Sequence, residues 1–415
     1  MKILLVTQYF WPEFFIINDL VKTLVSQGHS VKVLTGKPNY PSGDIFDGYK
    51  QAGCEEELFE NTIPIFRSPL RPRKKGGAKN LLLNYGSFIW NGLRFFPDAV
   101  KNEKFDTILV FAPSPITAAI PAIYLKWKLK THLAIWVQDL WPESLSATGF
   151  IKNRFLLGLL GGIVRGIYSQ ADTLFVQSKG FINPVSTYAA RDKIVYYPNS
   201  YKDTLAASEM NASKLNMLPK DLIEVMEHTF CVTFAGNLGR AQSIETILDA
   251  ADKLSHISNI RILLVGKGSL SDWILEQKRT RQLDNLILAG HFPANTMPDL
   301  FTRSDALLVT LKKEDIFAYT IPSKIQSYLA SGRPIIAALD GEGARIIEEA
   351  GAGLTCGAED VDGLVACIEQ LYTMTNSEKK TMSESGREYY VQNFEMESQA
   401  KRLITILGKR IISDE

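Results

Sequence analysis

The chain has 415 residues, of which 46% are hydrophobic and 22% charged, and its 46 basic and 45 acidic residues leave a formal net charge of +1. This length favours two globular domains, because single cores rarely grow beyond about 250–300 residues. The balanced charge argues against a nucleic-acid partner, so any anionic partner must be met by a local cluster. The four cysteines form no CxxC pair, which argues against a zinc or disulfide framework and favours a cytoplasmic protein.

The first half of the chain alternates apolar strands with amphipathic helices. It begins with a strand from Ile3 to Thr7, a helix from about Ile17 to Gln27 and a strand from Val31 to Thr35. This βαβ start predicts a parallel sheet whose ligands bind at the carboxyl ends of its strands. The aromatic loop after the first strand lacks the glycines of a dinucleotide fingerprint. It offers Glu13 and Asn18 as acceptor contacts, with simple loop solvation as the alternative.

One strong basic cluster, Arg67 to Asn80, adjoins an apolar and aromatic segment that ends near Phe96. A basic stretch beside such a segment is typical of a helix in a membrane interface, attracted to anionic lipid. A core helix next to a solvated loop is the alternative. No apolar run reaches the roughly 18 residues of a membrane-spanning helix, and the amino terminus leads directly into a strand. We therefore expect a cytoplasmic protein, peripheral on the inner face of the cell membrane.

A later strand, Leu133 to Val137, exits into the sequence QDLWPESLSATG. Asp139 and Glu143 lie in this exit, where such folds place functional side chains. Asp139 is the candidate catalytic carboxylate and Glu143 a candidate acceptor contact. The mixed charged and polar stretch that follows the last strand of this half predicts a linker.

The βα pattern restarts at Phe230, and each strand of the second half exits into a glycine or a hydrogen-bonding residue. The exits read GNLGRAQS, GKGS and GHFPANTMPDL. The candidate ligand contacts in them are Gly236, Asn237, Gly239, Gly266, Gly268, His291 and Phe292. We expect two doubly wound domains that face each other, with the carboxyl strand ends of both lining a cleft.

The last exit, within Lys312 to Pro334, leads into a short helix with Ser323 and Lys324 in its first turn. The unpaired N–H groups and dipole of a helix start favour an anion there. An ordinary crossover helix with a solvated lysine is the alternative.

These motifs, in this order and spacing, resemble the donor domain of retaining glycosyltransferases of family 4, which have the GT-B fold. The first-half motifs GHSVKVLTGKPNYPSG, VQDLWPES, FVQSKGF and YYPNS resemble the members that assemble O-antigen and capsule repeats, including N-acetyl-fucosamine transferases. The resemblance implies two facing Rossmann-like α/β domains. The expected divisions are 1–200 for the acceptor domain, 201–228 for a linker, 229–380 for the nucleotide-sugar domain and 381–415 for C-terminal helices that cross back to the first domain.

The implied activity is the transfer of an N-acetyl-fucosamine or similar deoxyhexose from a UDP-sugar to a polyprenyl-diphosphate-linked oligosaccharide. The leaving diphosphate must be neutralised by a metal or by fixed positive groups. The DxD at Asp360 and Asp362 opens a helix, where capping explains it better than a metal does. We therefore expect no metal and no cofactor, with Arg240 and Lys324 as the basic pair flanking the diphosphate.

The chain departs from the family pattern at several positions where the family places charged or small residues. The replacements are Tyr319 and Ser327 for two glutamates, Gln242 for a lysine, Phe14 and Phe15 for a glycine pair, and Gln138 for a histidine. Glu314 or Asp315 could substitute for the missing carboxylates. Two alternatives stay open: a nucleotide-sugar 2-epimerase, which would need carboxylates and histidines in the cleft, and a non-catalytic nucleotide-sugar-binding partner of an assembly complex.

Overall fold

The computed structural model describes residues 1–74, 76–147, 153–203 and 218–414. It divides the chain into two compact units, Met1–Asn199 with Met396–Glu415, and Ser200–Glu395. Residues 204–217 of the predicted linker, and Lys75 of the basic cluster, lie outside the described residues.

The N-terminal unit is built on an eight-stranded sheet in the order β3-β4-β2-β1-β5-β6-β7-β8. All neighbours are parallel except the edge strand β3, which runs antiparallel to β4. The strands are β1 Lys2–Val6, β2 Ser30–Thr35, β3 Glu55–Phe59, β4 Ile63–Arg67, β5 Thr107–Ala112, β6 His132–Val137, β7 Thr173–Val176 and β8 Ile194–Tyr196.

Helices cover this sheet because each carries one apolar stripe. In the first helix Ile17, Leu20, Val21 and Leu24 are buried, at the spacing of one helix face. The helices are α1 Ile16–Ser26, α2 Ala78–Ala99, α3 Ile120–Leu129, α4 Glu143–Ala147, α5 Arg154–Gln170 and α6 Ile182–Ser186.

The C-terminal unit is a six-stranded, wholly parallel sheet in the order β11-β10-β9-β12-β13-β14. Its strands are β9 Phe230–Ala235, β10 Ile260–Val265, β11 Leu286–Gly290, β12 Ala306–Thr310, β13 Ile335–Ala338 and β14 Gly353–Cys356. Its helices are α7 Lys220–His228, α8 Ile244–Lys253, α9 Ser271–Thr280, α10 Met297–Arg303, α11 Asp315–Tyr319, α12 Ser323–Ser331, α13 Glu342–Glu349, α14 Val361–Thr373 and α15 Asn376–Asn393.

The chain returns to the first unit at its C-terminal helix, α16, Met396–Asp414. Met396, Ala400, Leu403 and Leu407 are buried in the same core cluster as α1. Their spacing of three to four residues puts them on one face of α16. The predicted crossing back of the C-terminal helix is confirmed, whereas α15 stays with the C-terminal unit, where it packs against α12.

Both sheets have a point where the strand order reverses, as the predicted doubly wound folds require. In the N-terminal unit it lies between β1 and β5, and in the C-terminal unit between β9 and β12. Open α/β sheets bind ligands outside the carboxyl ends of the strands at this switch point. The loops after these four strands are therefore the first places to look for function.

Candidate active site

Lys324 lies at the switch point of the C-terminal unit, in the first turn of α12. Its ammonium donates a hydrogen bond to Oε1 of Gln242 at 2.7 Å and lies 3.4 Å from the ring centre of Phe234. Among the described residues no carboxylate pairs with it. Burial lowers the pKa of Lys324 to about 7. This amine is thus partly desolvated and has no carboxylate partner among the described residues, so an anion that binds there would favour its charged form.

Gly236 makes room for this lysine. A Cβ atom on Gly236 would lie 2.9 Å from Cε of Lys324, and the glycine has a φ of +150°. A larger residue would therefore push the ammonium away from the loop.

Gln242 is a residue of this site that sequence reasoning noted only as the replacement of a family lysine. Its loop is fastened to the end of β12: Thr310 Oγ1 donates to the backbone oxygen of Gln242, and the backbone N–H of Lys312 donates to that of Ala241 at 3.1 Å. The loop therefore holds the Gln242 amide against Lys324. No local sequence pattern predicts this contact, because the two residues are 82 positions apart.

Arg240 lies two residues before Gln242 in the same loop, so the structure brings both predicted cations to one switch point. Its side chain is exposed and has no hydrogen-bond or ion-pair partner within the described ranges. Arg240 is thus available to a ligand, whereas Lys324 is held in place. Their roles in binding a diphosphate stay predictions.

The glycines of the first two exit loops serve to pack these loops together. A Cβ on Gly266 would lie 1.8 Å from the backbone oxygen of Gly236, and one on Gly268 would lie 2.2 Å from that of Leu238. The backbone N–H of Leu238 donates to the oxygen of Lys267 at 3.0 Å. The close approach that these glycines permit is between two loops, and their approach to a ligand stays a prediction.

Asn237 and Gly239 complete the first loop. Asn237 is exposed, and a Cβ on Gly239 would lie 2.8 Å from its side-chain nitrogen Nδ2. The side chain of Asn237 therefore lies over Gly239, and a larger residue in place of Gly239 would displace the Asn237 side chain.

The remaining donor candidates are mostly exposed. His291, Glu314, Asp315 and Ser323 are exposed, and no contact within the described part of the chain fixes their side chains. Phe292 packs partly buried against a core cluster, which favours a structural role for its ring. The structure thus places these residues at strand exits without assigning them a ligand.

The two acceptor candidates that follow β1, Glu13 in its exit loop and Asn18 in the first turn of α1, hold backbone in place. The Glu13 carboxylate accepts three backbone hydrogen bonds, and burial raises its pKa to about 7. The donors are the N–H groups of Phe10, Asn39 and Tyr40, at 3.1, 2.8 and 2.8 Å. Asn18 accepts from the N–H of Trp11 and donates to the oxygen of Glu13. Their hydrogen-bonding capacity is largely used within the loops, and acceptor binding by them stays a prediction.

Asp139 and Glu143 follow β6. Asp139 Oδ2 accepts from Trp141 Nε1 at 3.2 Å, and the same indole nitrogen lies 3.3 Å from Ser114 Oγ in the loop after β5. Burial raises the pKa of Asp139. Glu143 Oε1 accepts from the hydroxyl of Tyr188 at 3.1 Å. Asp139 therefore lies next to the switch point, and Glu143 is hydrogen-bonded within its own unit.

Arg67, the first residue of the predicted basic cluster, is a buried strand residue. Its side chain is 0% exposed, pairs with Glu57 of β3, and donates to the backbone oxygens of Gly36 and Trp11. Its charge is therefore neutralised inside the unit, by Glu57. Arg73 of the same cluster is different: it lies over the rings of Tyr9 and Tyr40.

No group of three or more histidine, cysteine, aspartate or glutamate residues within the described ranges is arranged to hold a metal ion. The side chain of Asp360 accepts from the backbone N–H of Gly363 at the start of α14. The capping role predicted for this aspartate is confirmed.

Comparisons with known proteins agree with this geometry. The family description "Glycosyl transferase 4-like domain" matches residues 16–200, and "Glycosyl transferases group 1" matches residues 229–374. The putative colanic acid biosynthesis glycosyl transferase WcaI of Escherichia coli is 24% identical over 358 residues, covering 85% of this chain and 83% of WcaI. The probable glycosyltransferase WbjE of Pseudomonas aeruginosa is 25% identical over 300 residues, covering 71% of this chain and 73% of WbjE.

Solved structures show the same fold at low identity. HepE of Anabaena, crystallised in complex with UDP, superposes with a TM-score of 0.69 at 14% identity, covering 99% of this chain and all of HepE. The trehalose 6-phosphate synthase of Burkholderia multivorans superposes with a TM-score of 0.75 at 12% identity, covering 100% and 97% of the two chains. The chain has the GT-B fold, carries a glycosyl transferase 4-like domain followed by a group 1 glycosyl transferase domain, and is a glycosyltransferase.

Proposed function

We propose that this glycosyltransferase transfers a sugar, with retention, from a UDP-sugar to a polyprenyl-diphosphate-linked oligosaccharide of an O-antigen or capsule type. The proposed sugar is N-acetyl-fucosamine or a similar deoxyhexose. The observation that carries the donor half is Lys324 at the switch point of the C-terminal unit, whose side chain has no carboxylate partner among the described residues. HepE, which has the same fold, was crystallised with UDP, and the name of WcaI refers to a polysaccharide pathway.

The chemistry needs positive charge where the leaving group develops. The bond from the anomeric carbon to the UDP oxygen breaks, the acceptor hydroxyl gives up its proton to a base and forms the new bond to that carbon, and the departing electron pair adds negative charge to the diphosphate. Lys324 and Arg240 are proposed to stabilise that charge without a metal. Asp139, whose pKa is raised by burial, is the proposed acid/base group of the acceptor unit.

A lipid-linked acceptor places the reaction at a membrane, and three neighbouring helices of the N-terminal unit suit that surface. The helix α3 contacts both α2 and α5. Large apolar side chains point outward from all three: Leu82, Trp90, Trp127, Phe155 and Leu159 are 72%, 68%, 63%, 73% and 54% exposed. Large exposed apolar side chains on neighbouring helices support an interaction surface.

The charge of these helices adds to the argument. They contain six basic residues and one acidic residue, in a chain whose total is almost balanced. Within the described ranges, no helix has both the length and the apolar character needed to cross a bilayer. We propose interfacial docking of α2, α3 and α5 on the anionic cytoplasmic face of the membrane.

The direct test is a transfer assay with purified protein, a panel of UDP, GDP and dTDP sugars and a polyprenyl-diphosphate-linked saccharide, with and without a chelator. We expect transfer from a UDP-sugar that survives chelation and is lost in Arg240→Ala and Lys324→Ala. Activity that needs a divalent metal, or transfer from GDP-sugars alone, would contradict the proposal.

Membrane docking is tested separately by flotation with phosphatidylglycerol vesicles. Trp90→Ser combined with Trp127→Ser removes two outward indoles and should reduce the bound fraction. Ile412→Ser changes another exposed apolar residue, 74% exposed on α16, and is the control. Equal binding of both variants would count against docking through α2 and α3.

A further inference from the structure

Three loops of the N-terminal unit meet around Arg73. Its backbone N–H donates to Oδ1 of Asn39, at 3.2 Å, in the loop after β2. The next residue, Lys74, donates its N–H to the oxygen of Gly43 at 2.6 Å. Glu13, in the loop after β1, holds Asn39 by accepting from its N–H. The backbone of Arg73 is thereby fixed beside the carboxyl end of β1, which borders the switch point.

The Arg73 side chain is fixed as well. The guanidinium carbon lies 5.1 Å from the ring centre of Tyr40 and 5.8 Å from that of Tyr9. Rings on a guanidinium face orient it and leave the N–H groups at its edge free for in-plane acceptors. Within the described ranges, the structure gives this side chain no hydrogen-bond acceptor and no carboxylate partner. Arg73 therefore has unused donors in a defined orientation.

Two hydroxyl groups lie in the same neighbourhood. Tyr85 of α2 hydrogen-bonds to Ser114 in the loop after β5, and burial raises the pKa of Tyr85 while the positive charge of Arg73 lowers it. The switch point of this unit thus brings together a guanidinium and two hydroxyls, and the Asp139 carboxylate lies beside them as a hydrogen-bond partner of Ser114. The guanidinium and the hydroxyls are groups that bind phosphate oxygens.

The surrounding sequence is positive enough for a multiply charged anion. No acidic residue occurs between Asn61 and Pro97, a stretch that includes Arg71, Arg73 and Lys74. An excess of this kind favours a phosphate or diphosphate over a single carboxylate.

We propose that Arg73 is the anion-binding residue of the acceptor site and binds a phosphate of a phosphate-linked saccharide, with Tyr85 and Ser114 at the edge of the same subsite. The identification of this anion as part of the acceptor rests on the proposed function. The subsite itself is a feature of the N-terminal unit. The ring of Phe15, whose centre lies 5.6 Å from that of Tyr9 and 5.4 Å from that of Tyr40, offers aromatic surface beside it to the uncharged part of such a ligand.

The test is calorimetric binding of farnesyl diphosphate to the full-length protein without any donor sugar. We expect Arg73→Gln to weaken binding by about 10- to 100-fold, as the loss of a charge-assisted hydrogen-bond pair does. Arg73→Lys keeps the charge without the fork and should recover part of the affinity. Arg71→Gln removes an exposed charge two residues away and should change affinity by less than about twofold.

Three probes identify the source of the phosphate. Farnesyl diphosphate stands for a lipid-linked group, inorganic pyrophosphate for the free anion, and phosphatidylglycerol vesicles for a headgroup. The proposal expects binding of farnesyl diphosphate to depend on Arg73 and vesicle binding to be independent of it. If Arg73→Gln weakened only vesicle binding, or only pyrophosphate binding, the assignment of the anion to the acceptor would be overturned.

The controls separate this subsite from folding and from the transfer reaction. Melting temperature reports folding, and UDP affinity, which belongs to the other unit, should stay unchanged in Arg73→Gln. If transfer is found, the variant should raise KM for the acceptor and leave kcat unchanged. Loss of affinity as large in Arg71→Gln as in Arg73→Gln, or no farnesyl diphosphate binding to the wild type, would overturn the proposal. A failed transfer assay would not, because binding is measured without turnover.

Discussion

Gln242→Glu tests the electrostatics of the loop after β9, because it changes the hydrogen-bond partner that the described part of the chain gives to the Lys324 ammonium. In the wild type the amide oxygen lies 2.7 Å from Nζ, and burial lowers the pKa of Lys324 to about 7. A carboxylate there would contribute about 4 kcal/mol for charges 4 Å apart near a protein surface. At about 1.4 kcal/mol per tenfold change, this returns the pKa of Lys324 most of the way to its ordinary value.

The assay is UDP affinity measured by calorimetry between pH 7 and pH 9. If UDP requires charged Lys324, wild-type affinity falls by about 50-fold over this range, since protonation must accompany binding. In Gln242→Glu the lysine stays mostly charged up to pH 9, so the affinity should be nearly independent of pH over this range. It should also be lower than wild type at pH 7, because the new carboxylate offsets the cation.

Lys324→Met supplies the control, since it has no side-chain titration and reports the pH dependence of UDP itself. A wild-type affinity that stays constant from pH 7 to pH 9 would refute the link between Lys324 charge and nucleotide binding. So would a Gln242→Glu protein with the wild-type slope.

Three further predictions concern stability and binding. Burial disfavours the charged form of Lys324, so its cost in folding free energy is fully present below pH 7 and disappears as the pH rises toward the ordinary lysine pKa. Lys324→Met should therefore raise the melting temperature of ligand-free protein at pH 7 and lose this advantage near pH 10. Arg240→Gln should leave the melting temperature unchanged, since the side chain is exposed and unpartnered within the described ranges, yet weaken UDP binding by about tenfold in calorimetry; a drop in stability would contradict this. Ionised Glu13 is disfavoured by burial, so its cost is absent below pH 4.5 and complete above pH 7; the melting temperature of Glu13→Gln relative to wild type should therefore increase from pH 5 to pH 8, and a constant difference would show that this carboxylate does not titrate as described.

The sequence was most informative where strands are buried on both faces. Continuous apolar runs such as those at β1, β6 and β9 predict buried strands of a parallel sheet. The positions of the loops after these strands are then predicted as well. The edge strand β3 was missed because its sequence begins with three glutamates. The structure explains them: Glu57 and Glu55 pair with Arg67 and Lys37, whose side chains are fully buried. A charged strand of this kind is recognised only when its partners are known.

Site residues were predictable as positions and less so as contacts. The helix start at Ser323 and Lys324 follows from local sequence, through Pro322 and the apolar spacing of the following residues. The contact with Gln242 depends on two loops that neighbour each other only because β9 and β12 are adjacent in the sheet. Arg73 was predicted only as one residue of the basic cluster for the same reason, since the rings that hold it come from two other loops.

The place of α16 in the N-terminal core has a consequence for how the protein is made. Residues 200–395 form a continuous unit, whereas the first unit takes Met396, Ala400, Leu403 and Leu407 from beyond it. On the ribosome, the second unit is therefore synthesised in full before the first can close its core. Until then, the apolar face of α1 that α16 covers is exposed to water. The core of the first unit is therefore completed only after residue 407 has been synthesised. A chain that stops short of α16 would carry an intact second unit beside an unfinished first one.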